Sequence, residues 1–505
     1  MGSPARLERV VRWGPRAMGP MAADGTIVVR SIKRGGAAMR QRWTIVWSIM
    51  LVIATTVVGV GRGAKQGVAR PRPNIVVVLT DDQRFDQLAA MPKVQSRLMA
   101  LGLTAARAFA SDPLCSPSRA SLLTGRYSHG TGIYANGDGR TGGGFPDFRD
   151  RSTVATWLHD GGYRTGLFGK YLNHYERPTY VPPGWDRWVA LAASNSEYFD
   201  YTMSINGHAR HFGAKPADYL TDVIGRYANR FIRRSDHQRP LFLWLGMPAP
   251  HGPNTGPPRY ADLFSDLRHP KHPNFDEGDV RDKPNYLRSL DRLTERQRLA
   301  VNNAWSSGAR TLLAVDDVVG RLLDALRDTG RLDNTLFVFT SDNGQAMGEH
   351  RWLYKNDPHE ESIRVPLIFR WDGVVRPGAT TGAIVANVDL APSLAAVAGV
   401  RTPRLDDSVS LLPLLRGRSP PRQRLLLEHR HYGGEWDPPT YCGVRTPHWL
   451  FVHYATGEEE LYNLDRDPWE LRNLRHSVGY REPTTELRQR TRALCAPRPP
   501  GMPAF

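Results

Sequence analysis

Residues 74–82 read NIVVVLTDD, an unbroken run of β-branched and apolar residues that ends in two adjacent acids. Such a run predicts a strand that is buried on both faces, as the strands of parallel sheets are. Similar runs occur at 165–168, 241–245, 335–341 and 365–370. Helical spacing lies between them, most clearly over 302–329. This alternation predicts an α/β fold, with a large mixed, mostly parallel sheet sandwiched by helices.

Polar side chains follow four of these predicted strands. In chain order they are Asp81, Asp82, Lys170, His251, Asp342 and Asn343. The carboxyl ends of strands form the binding crevice of an open α/β sheet, so we expect these side chains to converge. Their carboxylate and amide oxygens favour Ca²⁺ or Mg²⁺ and disfavour zinc or copper, which prefer histidine or cysteine. The set therefore predicts a metal-assisted site for an oxyanion.

The cysteine at position 115 lies in a second informative stretch, because residues 114–126 read LCSPSRASLLTGR. Pro117, expected at the first helical position, and Gly125, just past the last apolar pair, predict a short helix. The helix dipole would then place partial positive charge near Cys115, and Arg119 adds a full charge one turn later. An anionic substrate or transition state suits this environment. The alternative is a buried structural cysteine.

The pattern Cys-x-Pro-Ser-Arg-x-x-Leu-Leu-Thr-Gly-Arg resembles the signature of the type I sulfatases, members of the alkaline-phosphatase-like superfamily. Most of the chain after residue 72 shares the resemblance. Matching segments are 169–173, 250–253, 348–355, 360–367 and 460–474. Gly-Lys-Tyr-Leu-Asn at 169–173 and the loop 274–288 resemble the N-acetylglucosamine-6-sulfatase branch and its arylsulfatase relatives.

The resemblance implies a nucleophile and a metal. Cys115 would be oxidised to formylglycine by a formylglycine-generating enzyme that acts on the unfolded chain. One hydroxyl of the aldehyde hydrate would attack sulfur, and the other would help to expel sulfate. One Ca²⁺ (Mg²⁺ being possible) would neutralise a sulfate oxygen. Its ligands would be Asp81, Asp82, Asp342, Asn343 and the modified Cys115.

The same resemblance assigns roles to the remaining polar residues. Arg119 would stabilise the oxyanion of the hydrate, while Lys170 and Lys355 would hold sulfate oxygens. His251 is expected to protonate the leaving oxygen, with Lys355 as its competitor. Many sulfatases have histidine two positions after the first lysine, where this chain has Leu172. The missing contact to the hydrate is therefore expected from His129 or Asn173.

Three functions fit these residues. The first is a sulfatase that acts on aryl or carbohydrate sulfate esters. The second is a phosphodiester or phosphonate monoester hydrolase on the same scaffold. An additional set of metal ligands would favour this second function. The third is a non-catalytic binder of sulfated glycans, which would keep an unmodified Cys115. The single metal set and both lysines favour the sulfatase.

The net charge of +17 on 505 residues is concentrated at the start of the chain. Residues 1–72 hold 13 lysines or arginines and two acids, and the rest holds 54 and 48. A basic leader thus accounts for most of the charge, and a nucleic-acid partner is not predicted. Within it, residues 43–60 are uncharged and mostly apolar, typical of a signal peptide or a short membrane anchor. We therefore expect export, whether secreted, periplasmic or anchored at the cell surface, and the start codon could be Met1 or Met39.

The catalytic domain is expected to span 73–420, with a small β-rich subdomain at 421–490 and an irregular tail at 491–505. The long aperiodic stretch 252–300 is expected to form a loop beside the site. Asn206-Gly207 predicts a hairpin turn. Besides Cys115, the cysteines are Cys442 and Cys495. They could pair in an oxidising compartment, and the sequence leaves that open.

Overall fold

The structure is a computed structural model that describes residues 71–137, 143–192, 197–418, 422–434 and 436–505. Nearly all of the basic leader, including its apolar segment 43–60, lies outside these residues. Within them, no helix is long and apolar enough to cross a membrane.

A large mixed sheet of eleven strands forms the framework. The strands are β1 (Asn74–Asp81), β2 (Leu103–Phe109), β3 (Arg164–Gly169), β4 (Arg187–Leu191), β5 (Tyr201–Ile205), β6 (His208–Phe212), β7 (Leu241–Pro250), β8 (Thr335–Ser341), β9 (Arg364–Val365), β10 (Leu367–Arg370) and β11 (Ala379–Ala386). Their order is β11-β2-β10-β8-β1-β7-β3-β4-β5-β6, with β9 paired to β2. The centre, β8-β1-β7-β3-β4, is parallel, whereas β10, β5 and β6 run antiparallel to their neighbours. The predicted fold is confirmed.

Strand β1 is buried on both faces because it lies in the middle of the sheet. Ile75 and Val77 pack into one hydrophobic cluster, and Val76 and Val78 pack into another on the opposite side. Successive side chains of a strand point to opposite faces, so a strand covered on both sides needs apolar residues at every position. Residues 75–79 meet that requirement.

Helices cover both faces of the sheet. The longer ones are α1 (Cys115–Thr124), α2 (Val154–Asp160), α3 (Leu220–Arg234), α4 (Glu295–Asp328), α5 (Leu390–Ala398) and α6 (Arg481–Leu494). Short helical segments lie at Phe85–Ala90, Pro92–Val94, Gln95–Met99, Ser128–Thr131, Gly144–Asp147, Pro216–Asp218, Pro258–Tyr260, Asn285–Arg288, Leu332–Asn334, Glu360–Ile363, Asn387–Asp389, Leu412–Leu415 and Val478–Tyr480. Residues from α1, α2 and α5 join the cluster on one face of the sheet, and α3 and α4 join the other.

Helix α4 begins seven residues before the predicted start at 302. Thr294 caps it: its Oγ1 accepts a hydrogen bond from the backbone N–H of Gln297, whose side chain accepts from the N–H of Thr294 in return. This reciprocal cap stabilises a polar first turn that apolar spacing alone does not reveal. The helix therefore takes up the end of the stretch 252–300 that we expected to be aperiodic.

A second sheet of four antiparallel strands follows the first. Its strands are β12 (Leu425–His429), β13 (Tyr441–Arg445), β14 (Trp449–Tyr454) and β15 (Glu459–Asn463). Helix α6 packs on β13 and β14, and a disulfide joins Cys442 of β13 to Cys495 at the end of α6. The predicted small β-rich subdomain is thus present, and the structure pairs the two cysteines whose state the sequence leaves open.

The tail prediction needs a correction at its start. Helix α6 continues to Leu494, four residues into the stretch 491–505 that was expected to be irregular, and residues 495–505 contain neither helix nor strand. The predicted hairpin turn is present, since Asn206 (φ 51°) and Gly207 (φ 85°) connect β5 to β6.

Candidate active site

The carboxyl ends of four adjacent strands meet at one edge of the large sheet. In spatial order these are β8, β1, β7 and β3. The residues that follow them are Asp342 and Asn343 after β8, Asp81 and Asp82 at the end of β1, His251 after β7 and Lys170 after β3. The expected convergence is present, because parallel neighbours must end on the same side.

Asp81 and Asp82 both face Cys115, although they are consecutive. In a regular strand their side chains would point to opposite faces. Asp82 instead has φ 66°, in the left-handed region, which turns the chain out of the strand. The Cys115 thiol consequently lies 3.3 Å from Asp81 Oδ1 and 4.0 Å from Asp82 Oδ1.

Cys115 is the first residue of helix α1 and is completely buried. The helix begins two residues earlier than predicted, so Pro117 is its third residue, where the N–H that proline lacks has no helical partner in any case. Gly125 ends the helix at φ 71°, as expected. Burial and the nearby Asp81 carboxylate raise the pKa of the Cys115 thiol to about 12, so the unmodified side chain stays neutral.

Two buried lysines are paired with the acids Asp81 and Asp82. Lys355 Nζ lies 2.6 Å from Asp82 Oδ1 and 2.8 Å from Cys115 Sγ. Lys170 Nζ donates to Asp81. Burial alone would lower the pKa of each lysine, but the adjacent carboxylates outweigh it and raise both pKa values. Both ammonium groups therefore stay charged although they are almost completely buried.

Arg119 connects helix α1 to the end of β8. Its Nε donates to Asp342 Oδ2 at 2.7 Å, and its Nη1 donates to the carbonyl of Lys170 at 3.0 Å. Burial and the Asp81 charge raise the pKa of Asp342 even though Arg119 lies beside it. Arg119 Nη2 has no hydrogen-bond partner among the described residues, and it lies 3.5 Å from Asp81 Oδ2.

The acids fit a hard divalent cation. Oxygen atoms of Asp81, Asp82 and Asp342 lie within 4.8 Å of one another. Asn343 Nδ2 donates to Asp82 at 2.6 Å, while Asn343 Oδ1 is buried without a hydrogen-bond partner among the described residues. An unpaired buried carbonyl oxygen is costly unless something binds it. Three carboxylates and one free amide oxygen form a ligand set of the Ca²⁺ or Mg²⁺ type.

Two glycines allow Lys170 to reach the site. A Cβ on Gly246 of β7 would lie 2.0 Å from the carbonyl oxygen of Lys170, and a Cβ on Gly169 would lie 2.0 Å from that of Gly246. Gly169 also has φ 102°, which disfavours any other residue. The backbones of β3 and β7 thus meet closely just before Lys170.

His251 lies at the more open side of the site. Its side chain is 29% exposed, and Nε2 lies 3.7 Å from Asp82 Oδ2. Nδ1 faces the carbonyl of Gly252 at 2.7 Å, and Tyr198 donates to the His251 carbonyl at 3.0 Å. Nε2 is therefore the ring nitrogen that faces the acids of the site.

The prediction for His129 needs a correction, because its contacts lie elsewhere. Nδ1 is 3.1 Å from Glu428 Oε2 of β12, and Nε2 is 3.8 Å from Asp407 Oδ1. Burial would lower the pKa of His129, but the two carboxylates raise it. The chain turns away from the site at Gly125, and Glu428 of the second sheet pairs with the imidazole. No contact joins His129 to the acids or lysines of the described site.

Asn173 lies nearer the nucleophile but contacts its neighbour. Asn173 Oδ1 accepts a hydrogen bond from Ser116 Oγ at 3.1 Å. Ser116 N donates to Asn136 Oδ1 at 2.9 Å, and Asn387 Nδ2 donates to Ser118 Oγ at 3.0 Å. These contacts fix the first turn of α1. Apart from Asn173, sequence reasoning missed them, because isolated asparagines in loops carry no distinguishing pattern.

Sequence comparisons place this geometry in a family. The profile of the sulfatase family matches residues 73–400, and that of the N-sulphoglucosamine sulphohydrolase C-terminal region matches residues 348–496. The chain is 33% identical over 452 residues to the N-acetylglucosamine-6-sulfatase of Homo sapiens, which covers 81% of this chain and 82% of that one. It is 37% identical over 355 residues to the extracellular sulfatase SULF-1 homolog of Drosophila melanogaster, covering 69% of this chain but only 32% of that relative.

Solved structures agree. A protein determined in complex with its substrate D-glucosamine-2-N,6-O-disulfate aligns with a TM-score of 0.72 at 26% identity, over 84% of this chain and 98% of that one. The phosphonate monoester hydrolase of Agrobacterium radiobacter aligns with a TM-score of 0.67 at 20% identity, over 84% of this chain and 96% of that one, which shows a shared fold alone. The chain therefore belongs to the sulfatase family and is a sulfuric ester hydrolase.

Proposed function

We propose that this sulfatase hydrolyses carbohydrate sulfate esters, with 6-O-sulfated glucosamine as the preferred class. The observation that carries the proposal is the buried cluster around Cys115. Asp81, Asp82 and Lys355 contact its thiol, and these acids in turn bind further buried charges, namely Lys170, Arg119 and Asp342. Among its relatives, N-acetylglucosamine-6-sulfatases match over about four fifths of both chains, and one structural relative holds a 6-O-sulfated glucosamine as its substrate.

The nucleophile in this proposal is Cys115 after its conversion to formylglycine. The hydrated aldehyde supplies two hydroxyls on one carbon, one to attack sulfur and one to release sulfate afterwards. The unmodified thiol suits the task poorly, since its pKa of about 12 keeps it neutral at ordinary pH. Asp81 and Lys355 lie close enough to Sγ to orient a group at this position.

The modification would precede folding. Cys115 has no solvent exposure, and Ser116 and Ser118 in the same helical turn are also completely buried. A modifying enzyme could not reach the side chain in the folded protein. This supports the predicted partner, a formylglycine-generating enzyme that acts on the unfolded chain.

The metal of the site would be one Ca²⁺, held by Asp81, Asp82, Asp342 and Asn343. When bound, it would supply positive charge to a sulfate oxygen. The unpaired Asn343 Oδ1 supports the assignment, because a cation would satisfy this buried oxygen. The same carboxylates bind the lysines in the structure, so a cation would share them with Lys170 and Lys355.

The charged side chains of the chain itself hold the substrate. Lys170 and Lys355 hold ammonium groups that are almost completely buried, so each interaction with sulfate is stronger than at a surface. Arg119 offers its Nη2 donor next to Asp81. His251 is the partly exposed group at the opening, so it is placed to give a proton to the departing sugar oxygen.

Export is part of the proposal. The Cys442–Cys495 disulfide is of the kind that persists in oxidising compartments, and the basic leader with its apolar segment 43–60 has the composition of an export signal. The two features come from opposite ends of the chain and agree with each other.

The test measures sulfate released from N-acetylglucosamine-6-sulfate by protein that was produced together with a formylglycine-generating enzyme. We expect turnover that Cys115→Ala abolishes, and an aldehyde in place of the thiol in the mass of the peptide containing residue 115. Ser121→Ala is the matched control in the same helix, because Ser121 Oγ has no hydrogen-bond partner among the described residues and its loss should leave turnover unchanged.

Two outcomes would overturn the proposal. An intact thiol at Cys115 in a protein that still turns over substrate would show that formylglycine is not the nucleophile. Faster hydrolysis of an aryl phosphate or phosphonate than of the matching aryl sulfate would favour the phosphonate monoester hydrolase alternative.

A further inference from the structure

A second concave site lies at the far end of helix α1. It is a cavity of about 530 Å³ whose lining includes Arg126, Arg149, Arg151, Phe148 and Trp157. Helix α1 runs from Cys115 to Thr124, and Thr124 lines this cavity. At 1.5 Å per residue the helix separates the cavity from the nucleophile by about 14 Å. The cavity is therefore distinct from the active site.

The cavity is positively charged and its charges are available. Arg126, Arg149 and Arg151 are exposed, and none forms an ion pair with an acid in the part of the chain that the structure describes. Asp150 also lines the cavity but accepts a hydrogen bond from Tyr180 at 2.8 Å. Many other exposed arginines of the described residues also lack a carboxylate partner, so the feature of this place is that three of them surround one concavity.

Two mostly buried aromatic side chains form part of the cavity wall. Trp157 and Phe148 are each 8% exposed, and Trp157 Nε1 donates to Ser152 Oγ at 3.0 Å, which fixes the indole. Aromatic faces pack well against the apolar faces of sugar rings, while guanidinium groups bind anionic oxygens through paired hydrogen bonds. Together the two features suit a ligand that is both carbohydrate and polyanion.

We propose that this cavity is an exosite for a sulfated oligosaccharide. The inference rests on the proposed carbohydrate substrate and extends it, since it means that the enzyme binds sulfated chains at a second place besides the sulfate ester it cleaves. A single-stranded oligonucleotide is the competing polyanion, and its binding is one of the outcomes that the experiment tests.

The experiment measures binding of a size-defined heparin hexasaccharide by titration calorimetry. The protein carries Cys115→Ala, and excess N-acetylglucosamine-6-sulfate occupies the active site. The test variant is Arg126→Gln/Arg149→Gln/Arg151→Gln. The matched control replaces three other exposed arginines without ion pairs among the described residues, and it carries Arg230→Gln/Arg234→Gln/Arg296→Gln.

We expect at least tenfold weaker binding by the test variant and less than twofold change in the control. The affinity of the test variant should also depend less on salt between 50 and 150 mM NaCl, where the Debye length is about 10 Å. Replacing the same three residues by lysine should give an intermediate affinity, because the charge remains and the paired donors are lost. Thermal unfolding of each variant verifies folding.

Unchanged affinity in the test variant would overturn the exosite. So would a single-stranded oligonucleotide of equal charge that binds as tightly and loses as much affinity in the test variant, since the cavity would then be an unselective polyanion site. The readout is binding rather than hydrolysis. A failure of the proposed sulfatase activity on N-acetylglucosamine-6-sulfate would therefore appear in a separate assay and leave this result readable.

Discussion

Replacing Lys355 by methionine removes one positive charge from the active site and keeps a side chain of similar length. Lys355 is 2% exposed at its side chain and contacts both Asp82 and Cys115. Losing one preorganised charge partner of a transition state typically lowers turnover by about 10²–10³-fold, or about 3–4 kcal/mol. We expect a loss of kcat in this range on an aryl sulfate.

The same substitution also changes stability. Breaking a buried ion pair by removing one partner costs about 3–5 kcal/mol. Asp82 would still accept the hydrogen bond of Asn343 Nδ2 at 2.6 Å, so its charge is not left without a partner. We therefore expect a loss at the lower end of the range, about 3 kcal/mol, in the free energy of unfolding by urea.

Lys283 provides the matched control. Its side chain is completely buried, and Nζ lies 3.0 Å from Asp282 Oδ1 and 3.3 Å from Glu277 Oε1, in a different part of the protein. Lys283→Met should lower stability to a similar extent but keep kcat within twofold of the wild type. The assay is kcat and KM at a temperature where all three proteins are folded. The reasoning is refuted if Lys355→Met keeps kcat within threefold of the wild type, or if Lys283→Met loses as much.

Three further predictions concern the metal, the disulfide and pH. We expect added Ca²⁺ to raise the unfolding temperature of the wild type and of Asn343→Asp but not of Asn343→Leu, because a ligand that binds only the folded state stabilises it. Cys442→Ser should lower the free energy of unfolding by about 4 kcal/mol in guanidinium titrations, since the disulfide closes a sequence separation of 53 residues; an unchanged midpoint would contradict this. Burial would lower the pKa of His429, but the carboxylates of Asp112 and Asp437 raise it to about 9, so its contribution to stability is full below the ordinary pKa and is lost as pH rises from about 6.5 to 9. His429→Gln should flatten the fall in unfolding free energy over that interval, and a parallel curve for the variant would refute the assignment.

The parts of the site that lie at strand ends were accessible from the sequence. Asp81, Lys170, His251 and Asp342 each come directly after, or end, a buried run, and a run followed by a polar residue is a local signal. Topology then brings these positions together, because parallel strands end at the same edge. The local pattern does not give strand direction, so it could not show that β10 runs antiparallel between β8 and β2.

Contacts between distant segments could not be derived from local patterns. Lys355 reaches Asp82 across 273 residues, and its role came from family resemblance alone. His129 pairs with Glu428 across 299 residues, and nothing near His129 indicates that partner. The predicted start of α4 was wrong for a different reason. The first turn of this helix is polar, so only the cap at Thr294 marks where the helix begins.

The complete burial of Cys115 has a practical consequence for anyone who purifies this enzyme. If the proposed oxidation of Cys115 takes place only on the unfolded chain, a chain that folds first cannot be modified afterwards without unfolding again. Each preparation would then be a mixture whose composition is settled during biosynthesis, and two batches with identical purity and melting curves could differ severalfold in activity per milligram. Titrating the aldehyde would have to accompany every rate measurement before rates of different variants are compared.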